Sequence, residues 1–120
     1  MPTVPGHTLS KKERLSGKMT VSHLMARGRY GNASCLRYCV LPGNGLPYSR
    51  LLVSVPKRYF KRAVKRNLLK RRIRESYRLQ KETLGPGFDL MLVYTAREVL
   101  PSALIREAVG MALNACGRGE

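Results

Sequence analysis

Apolar residues recur along this chain with two different periods, and the period changes at glycines and prolines. Between Lys18 and Arg27, Val21, Leu24 and Met25 stand at i, i+3 and i+4, the spacing of one helix face, and Gly28 can end that helix. From Ala33 to Leu41 the period becomes two. Leu36, Tyr38 and Val40 alternate with Cys35, Arg37 and Cys39, which predicts a strand with two unlike faces. Pro42-Gly43-Asn44-Gly45 predicts a turn, and Arg50 to Val55 a second strand stopped by Pro56, expected to pair with the first as an antiparallel hairpin. The helical period returns from about Lys61 to Lys81, where Leu69, Ile73 and Ser76 fall at i, i+4 and i+7, until Gly85-Pro86-Gly87 forbids continuation. Phe88 to Tyr94 is a short apolar strand. Pro101 to Cys116 is a last helix with Leu104, Ile105, Ala108, Val109 and Ala112 on one side.

The order helix, strand, strand, helix, strand, helix predicts an α+β fold with helices packed on a small sheet. Arg50 to Tyr94 is a β-α-β unit, and if its strands are parallel the default crossover is right-handed. The 120 residues form one domain with a single modest core. Residues 1–8, with two prolines and a glycine, read as a flexible tail, 9–116 as the domain and 117–120 as a C-terminal tail.

Charge changes the picture at one place. Of the 22 residues from Lys57 to Arg78, 11 are Lys or Arg and one, Glu75, is acidic, so this stretch carries +10 of a formal +16. On a helix, Arg66, Lys70, Arg74 and Arg78 follow at i, i+4, i+8 and i+12 with Asn67 and Arg71 beside them, an arc of roughly 140°. Ala63 projects from the middle of that arc. A helix that only needed solubility would mix both signs for i, i+4 pairing. One sign on one face predicts an anionic partner, nucleic acid or an anionic membrane surface.

Other chemistry is sparse. No apolar run approaches the length of a membrane span, and the expected location is cytoplasmic. Cys35, Cys39 and Cys116 are odd in number and sit in apolar segments, as reduced buried thiols do. Their spacing with His7 and His23 matches no metal-ligand motif. There is no Ser-His-Asp set, paired-carboxylate site or Gly-rich phosphate loop, and the seven acids are scattered. No catalytic residue and no metal ligand is expected on the protein.

The run Ala63-Val64-Lys65-Arg66-Asn67-Leu68-Leu69-Lys70-Arg71-Arg72-Ile73-Arg74-Glu75 resembles the signature A-V-x-R-N-x-x-K-R-x-x-R-E of the protein subunit of bacterial ribonuclease P. Leu9-Ser10-Lys11-Lys12-Glu13-Arg14-Leu15 is similar to the family's basic opening, Ser54-Val55-Pro56-Lys57-Arg58 to its second strand and basic pair, and Gly87-Phe88-Asp89-Leu90 to its G-[FY]-D strand start. The resemblance implies a mixed sheet of about four strands with a left-handed β-α-β crossover, similar to the second domain of a small-subunit ribosomal protein. It implies that the chain joins a catalytic RNA, one protein per RNA, in removing the 5′ leader of precursor tRNA. The RNA and substrate would hold the Mg²⁺ ions and carry the chemistry.

Carried over residue by residue, Arg66, Asn67, Lys70, Arg71 and Arg74 match signature positions that face the RNA, with Arg78, Lys57 and Arg58 extending the contacts. A planar guanidinium can bond two phosphate oxygens, and Asn67 offers both a donor and an acceptor. The resemblance also implies a leader-binding cleft between the first helix and the sheet, at Val21, Met25 and Tyr38. Val21 and Met25 stand where aromatics are frequent in the family, so only Tyr38 could stack a base. Three other readings stay open at the level of sequence: a ribosomal-type structural RNA-binding protein, a DNA-binding module and a protein-only nuclease. The wide uniform cation face argues against base-edge reading in a major groove, and the missing acid cluster against a protein nuclease.

Overall fold

A computed structural model of the chain describes residues 11–117. The expected tail at 1–8, with Leu9 and Ser10 of the basic opening, and residues 118–120 lie outside the described residues, while Gly117 closes the last helix. A 3₁₀ turn at Lys11–Glu13 leads into α1 (Lys18–Arg27), β1 (Arg29–Ala33), β2 (Leu36–Pro42) and β3 (Arg50–Ser54). Then follow α2 (Ala63–Gln80), a 3₁₀ turn at Lys81–Thr83, β4 (Phe88–Tyr94) and α3 (Ser102–Gly117).

The strands form one four-stranded mixed sheet in the order β1-β2-β4-β3. β1–β2 and β2–β4 are antiparallel and β3–β4 parallel, with α2 carrying the chain between the parallel pair. The expected hairpin between Ala33–Leu41 and Arg50–Val55 does not form, because β4 lies between β2 and β3. Apart from Asp89, β4 is apolar on both faces, so it gains most from a central position where both faces and both edges are covered.

The stretch expected as one strand from Ala33 is two. Arg29–Ala33 pairs with β2 across a two-residue turn at Ser34 and Cys35, although Gly31 and Asn32 are poor strand formers. Ser34 has φ 56°, the left-handed backbone that a tight hairpin turn requires. Gly31 has its own reason to be glycine. A Cβ there would stand 2.3 Å from the Tyr38 ring across the hairpin.

Helices cover both faces of the sheet. Leu69, Ile73 and Tyr77 of α2 and Ile105, Val109 and Leu113 of α3 close over Leu36, Val40, Val53, Leu90 and Leu92, and each such burial contributes about 1.5–3 kcal/mol. α1 takes the opposite face, where Leu24 packs with Leu15, Cys39 and Met91 in a smaller cluster. It leaves a strip of that face uncovered: Asn32, Arg37, Val93 and Ser54 form a row across the sheet, the first two exposed and the last two half-buried. The three cysteines are buried free thiols. Burial pushes each of them up, Cys116 to about 12.

Candidate RNA interface

α2 divides as its spacing predicts. Leu69, Ile73, Ser76 and Tyr77 are buried, Asn67 and Arg71 are exposed, and Arg66, Lys70 and Arg74 are half-buried along the neighbouring flank. Neither a side-chain cap nor an acid occupies the first turn, so the positive end of the helix dipole adds to the cations. Three arginines depart from a uniform solvated face. Arg66 donates through Nη1 to the carbonyls of Phe60 at 2.7 Å and Lys61 at 2.9 Å, which ties the β3–α2 linker to the helix. Arg78 turns to Glu75, with Nε to Oε1 at 3.0 Å and Nη2 to Oε2 at 2.6 Å, and holds that carboxyl below the usual carboxylate range. Arg74 is pushed down from its ordinary value by burial and then by Arg14, while remaining a cation.

Arg14 reaches that position because the segment before α1 runs along the open edge of β3. Arg14 bridges to Leu51, and the Leu15 N–H donates to the Leu51 carbonyl at 2.8 Å. Sequence reasoning did not select Arg14, since the bridge joins residues far apart in the chain. Two neighbouring guanidinium groups suit a phosphate oxygen. Lys57 and Arg58 are exposed in the turn after β3.

The three expected cleft residues do not meet. Val21 is half-buried and Met25 49% exposed on α1, but Tyr38 is 6% exposed and belongs to the core on the opposite face of the sheet. Strand alternation explains the separation, because Leu36, Tyr38 and Val40 point towards α2 and α3 while Arg37 and Cys39 point towards α1. The ring on the α1 face is Tyr30, 42% exposed. Its hydroxyl donates to the Met25 carbonyl at 2.8 Å, and the Arg37 guanidinium lies 5.2 Å from its centroid. The missed signal was the hairpin: once β1 pairs with β2, Tyr30 faces Cys39 and shares its side of the sheet.

Among the described residues no three of His, Cys, Asp and Glu come together as a metal site. The single Asp, Asp89, is held by Arg50 and Asn44. No helix among the described residues is long and apolar enough to cross a membrane.

A family model described as Ribonuclease P matches residues 9–116. This chain belongs to the ribonuclease P protein family. A ribonuclease P protein component from Porphyromonas gingivalis is 41% identical over 96 residues, covering 78% of this chain and 70% of the relative. One from Thermotoga maritima is 48% identical over 50 residues, 42% of each chain. Among solved structures, the ribonuclease P protein of Thermotoga maritima superposes with a TM-score of 0.73 at 26% identity, over 90% of this chain and 98% of that one. The Staphylococcus aureus protein gives 0.74 at 20% identity over 92% and 93%, a likeness of fold. Membership of that family implies an RNA subunit as partner.

Proposed function

We infer that this chain works as the protein subunit of the endoribonuclease ribonuclease P, assisting a catalytic RNA in removing the 5′ leader of precursor tRNA. The observation that carries the reading is the α2 flank itself, where Arg66, Asn67, Lys70, Arg71 and Arg74 combine the family signature with a cationic face. The flank binds the RNA subunit through phosphate contacts, and Asn67 orients a 2′-hydroxyl or base edge. Screening phosphate repulsion raises the affinity of the complex for precursor tRNA and for Mg²⁺, which sits on RNA. One protein joins one RNA, in the cytoplasm. The ribosomal-type reading is not favoured, since each relative reported above is a ribonuclease P protein.

The leader lies along the α1 face. Val21 and Met25 supply apolar surface, and Tyr30, tethered by its hydroxyl and backed by Arg37, takes the stacking role expected of Tyr38, typically worth about 1–3 kcal/mol per base. The strip from Asn32 to Ser54 offers polar contacts beside it. Cleavage of precursor tRNA by the matching RNA subunit, with and without the protein, tests the reading: the protein should accelerate it at low Mg²⁺ and cleave nothing alone. An RNA subunit indifferent to the protein would overturn it.

A further inference from the structure

β3 and β4 are parallel, so the loops that follow them emerge at the same end of the sheet, beside the N-termini of α2 and α3. That end carries Tyr59, and the guanidinium carbons of both Arg58 and Arg97 lie 5.0 Å from its ring centroid. Arg58 comes from the loop after β3 and Arg97 from the loop after β4. A groove of about 440 Å³ opens beside the ring, lined by Arg97, Lys61, Arg62, Lys65 and Glu98, with Arg58 at the other contact to the ring.

Two features distinguish this cluster from solvated charge. The first is its imbalance: with Lys57 there are six cations and one acid, Glu98, and none of the six is in an ion pair among the described residues. Glu98 is the one carboxylate lining the groove, so the cluster stays strongly cationic and suits an anionic ligand. The second is its rigidity. Phe60 is buried against Tyr94, Arg66 ties the Phe60 and Lys61 carbonyls to α2, and the Tyr94 hydroxyl donates to the Glu98 carbonyl at 2.6 Å and accepts from the Leu100 N–H at 3.1 Å. Arg72 holds the Leu100 carbonyl at 2.6 Å. Both loops are braced, so little ordering remains to be done when a ligand arrives.

We propose that Arg58 and Arg97, held in place by the Tyr59 ring, form a second phosphodiester clamp for the RNA subunit, separate from the Arg66–Arg74 flank. Lys61, Arg62 and Lys65 make it continuous with the start of α2, so one RNA backbone can pass from the clamp onto the flank. Tyr59 is a positioning residue and the two arginines are the contacts. The proposal rests on the reading of the chain as a ribonuclease P subunit.

The test measures affinity of the full chain for its RNA subunit at several salt concentrations, by filter binding, and separately the affinity of the assembled holoenzyme for precursor tRNA. Arg58→Ala and Arg97→Ala should each weaken assembly on the order of fivefold or more and lower the salt slope by about one, with an unchanged circular dichroism spectrum. Tyr59→Ala should weaken assembly without removing a charge, and Tyr59→Phe, which keeps the ring, should restore most of it. An Arg58→Ala/Arg97→Ala variant with wild-type affinity and slope, alongside a weakened Lys70→Ala, would overturn the clamp and leave the α2 reading standing. Loss confined to precursor affinity would overturn the assignment to the RNA subunit. Should Lys70→Ala also bind as wild type, the α2 reading fails with the clamp.

Discussion

Arg50 grips Asp89 with two hydrogen bonds, Nε to Oδ1 at 2.9 Å and Nη2 to Oδ2 at 2.8 Å, at the register position where parallel strands β3 and β4 first face each other. Asn44 adds a third donor to Oδ1 at 3.1 Å and accepts the Leu46 N–H on its own Oδ1, so the long β2–β3 connection is pinned to the same carboxylate. The pair fixes which strand lies beside β4. It gives a physical reason for the aspartate in the Gly87-Phe88-Asp89 strand start.

Asp89→Ala would leave a half-buried guanidinium without its partner. It should lower stability to urea by about 2–4 kcal/mol, tempered by the partial exposure of Arg50. The Arg50→Ala/Asp89→Ala double variant should lose less than the sum of the two single losses. Strict additivity would show that the two groups are not coupled.

Gly31 and Tyr38 make a second such pair, this time steric. Gly31→Ala should cost about 1–3 kcal/mol in unfolding free energy, because its Cβ would meet the core tyrosine ring. Tyr38→Leu in the same chain removes the colliding ring atoms, so Gly31→Ala should cost less in that background. An equal cost in both backgrounds would place the strain elsewhere.

The thiols predict an alkaline limit. Below about pH 9 the cysteines are neutral folded or unfolded and contribute no pH dependence. Above it an unfolded thiol ionises while Cys116, pushed up to about 12, does not, so stability falls as pH rises from 9 towards 12. Tyr77, raised by burial, acts in the same direction higher in the range. Unfolding midpoints between pH 7 and 10.5 check this, and Cys116→Ala should flatten the fall. In native protein at pH 8 a thiol reagent should label the cysteines only slowly.

Glu75 neutralises the far end of the cation flank. Glu75→Gln removes the negative charge beside Arg78, so RNA affinity at moderate salt should rise by about two- to fivefold with a steeper salt dependence. The pair lies in solvent, where water screens it, so the thermal midpoint should barely change. Weaker RNA binding by Glu75→Gln would mean that the carboxylate itself contacts the partner.

Where local periodicity and punctuation agree, the sequence shows the elements directly. α1 and β4 have the bounds that Val21-Leu24-Met25 and the Phe88-to-Tyr94 run suggest, and the buried stripe of α2 is the one its spacing marks. Pairing was not legible, because it depends on which strand gains most from the centre. The default of neighbouring strands misplaced β3. The same blind spot hid Tyr30, since the side a strand residue faces is settled only when the sheet is assembled, and the resemblance had put Tyr38 in the cleft although it faces the other way. On α2 the identities of the cations were legible but their engagements were not: the bonds from Arg66 to the linker carbonyls and from Arg78 to Glu75 depend on side-chain reach.

Those engagements decide which variant probes the flank cleanly. Arg66→Ala would also loosen the linker, whereas Lys70 and Arg74 brace nothing among the described residues. The most direct measurement is therefore the initial rate of leader removal from precursor tRNA, at limiting Mg²⁺, by the matching RNA subunit reconstituted with wild-type protein or with Lys70→Ala/Arg74→Ala. The account predicts a rate lower by about tenfold or more, largely recovered at high Mg²⁺, in a protein with unchanged unfolding. A double variant as fast as wild type at limiting Mg²⁺ would contradict it.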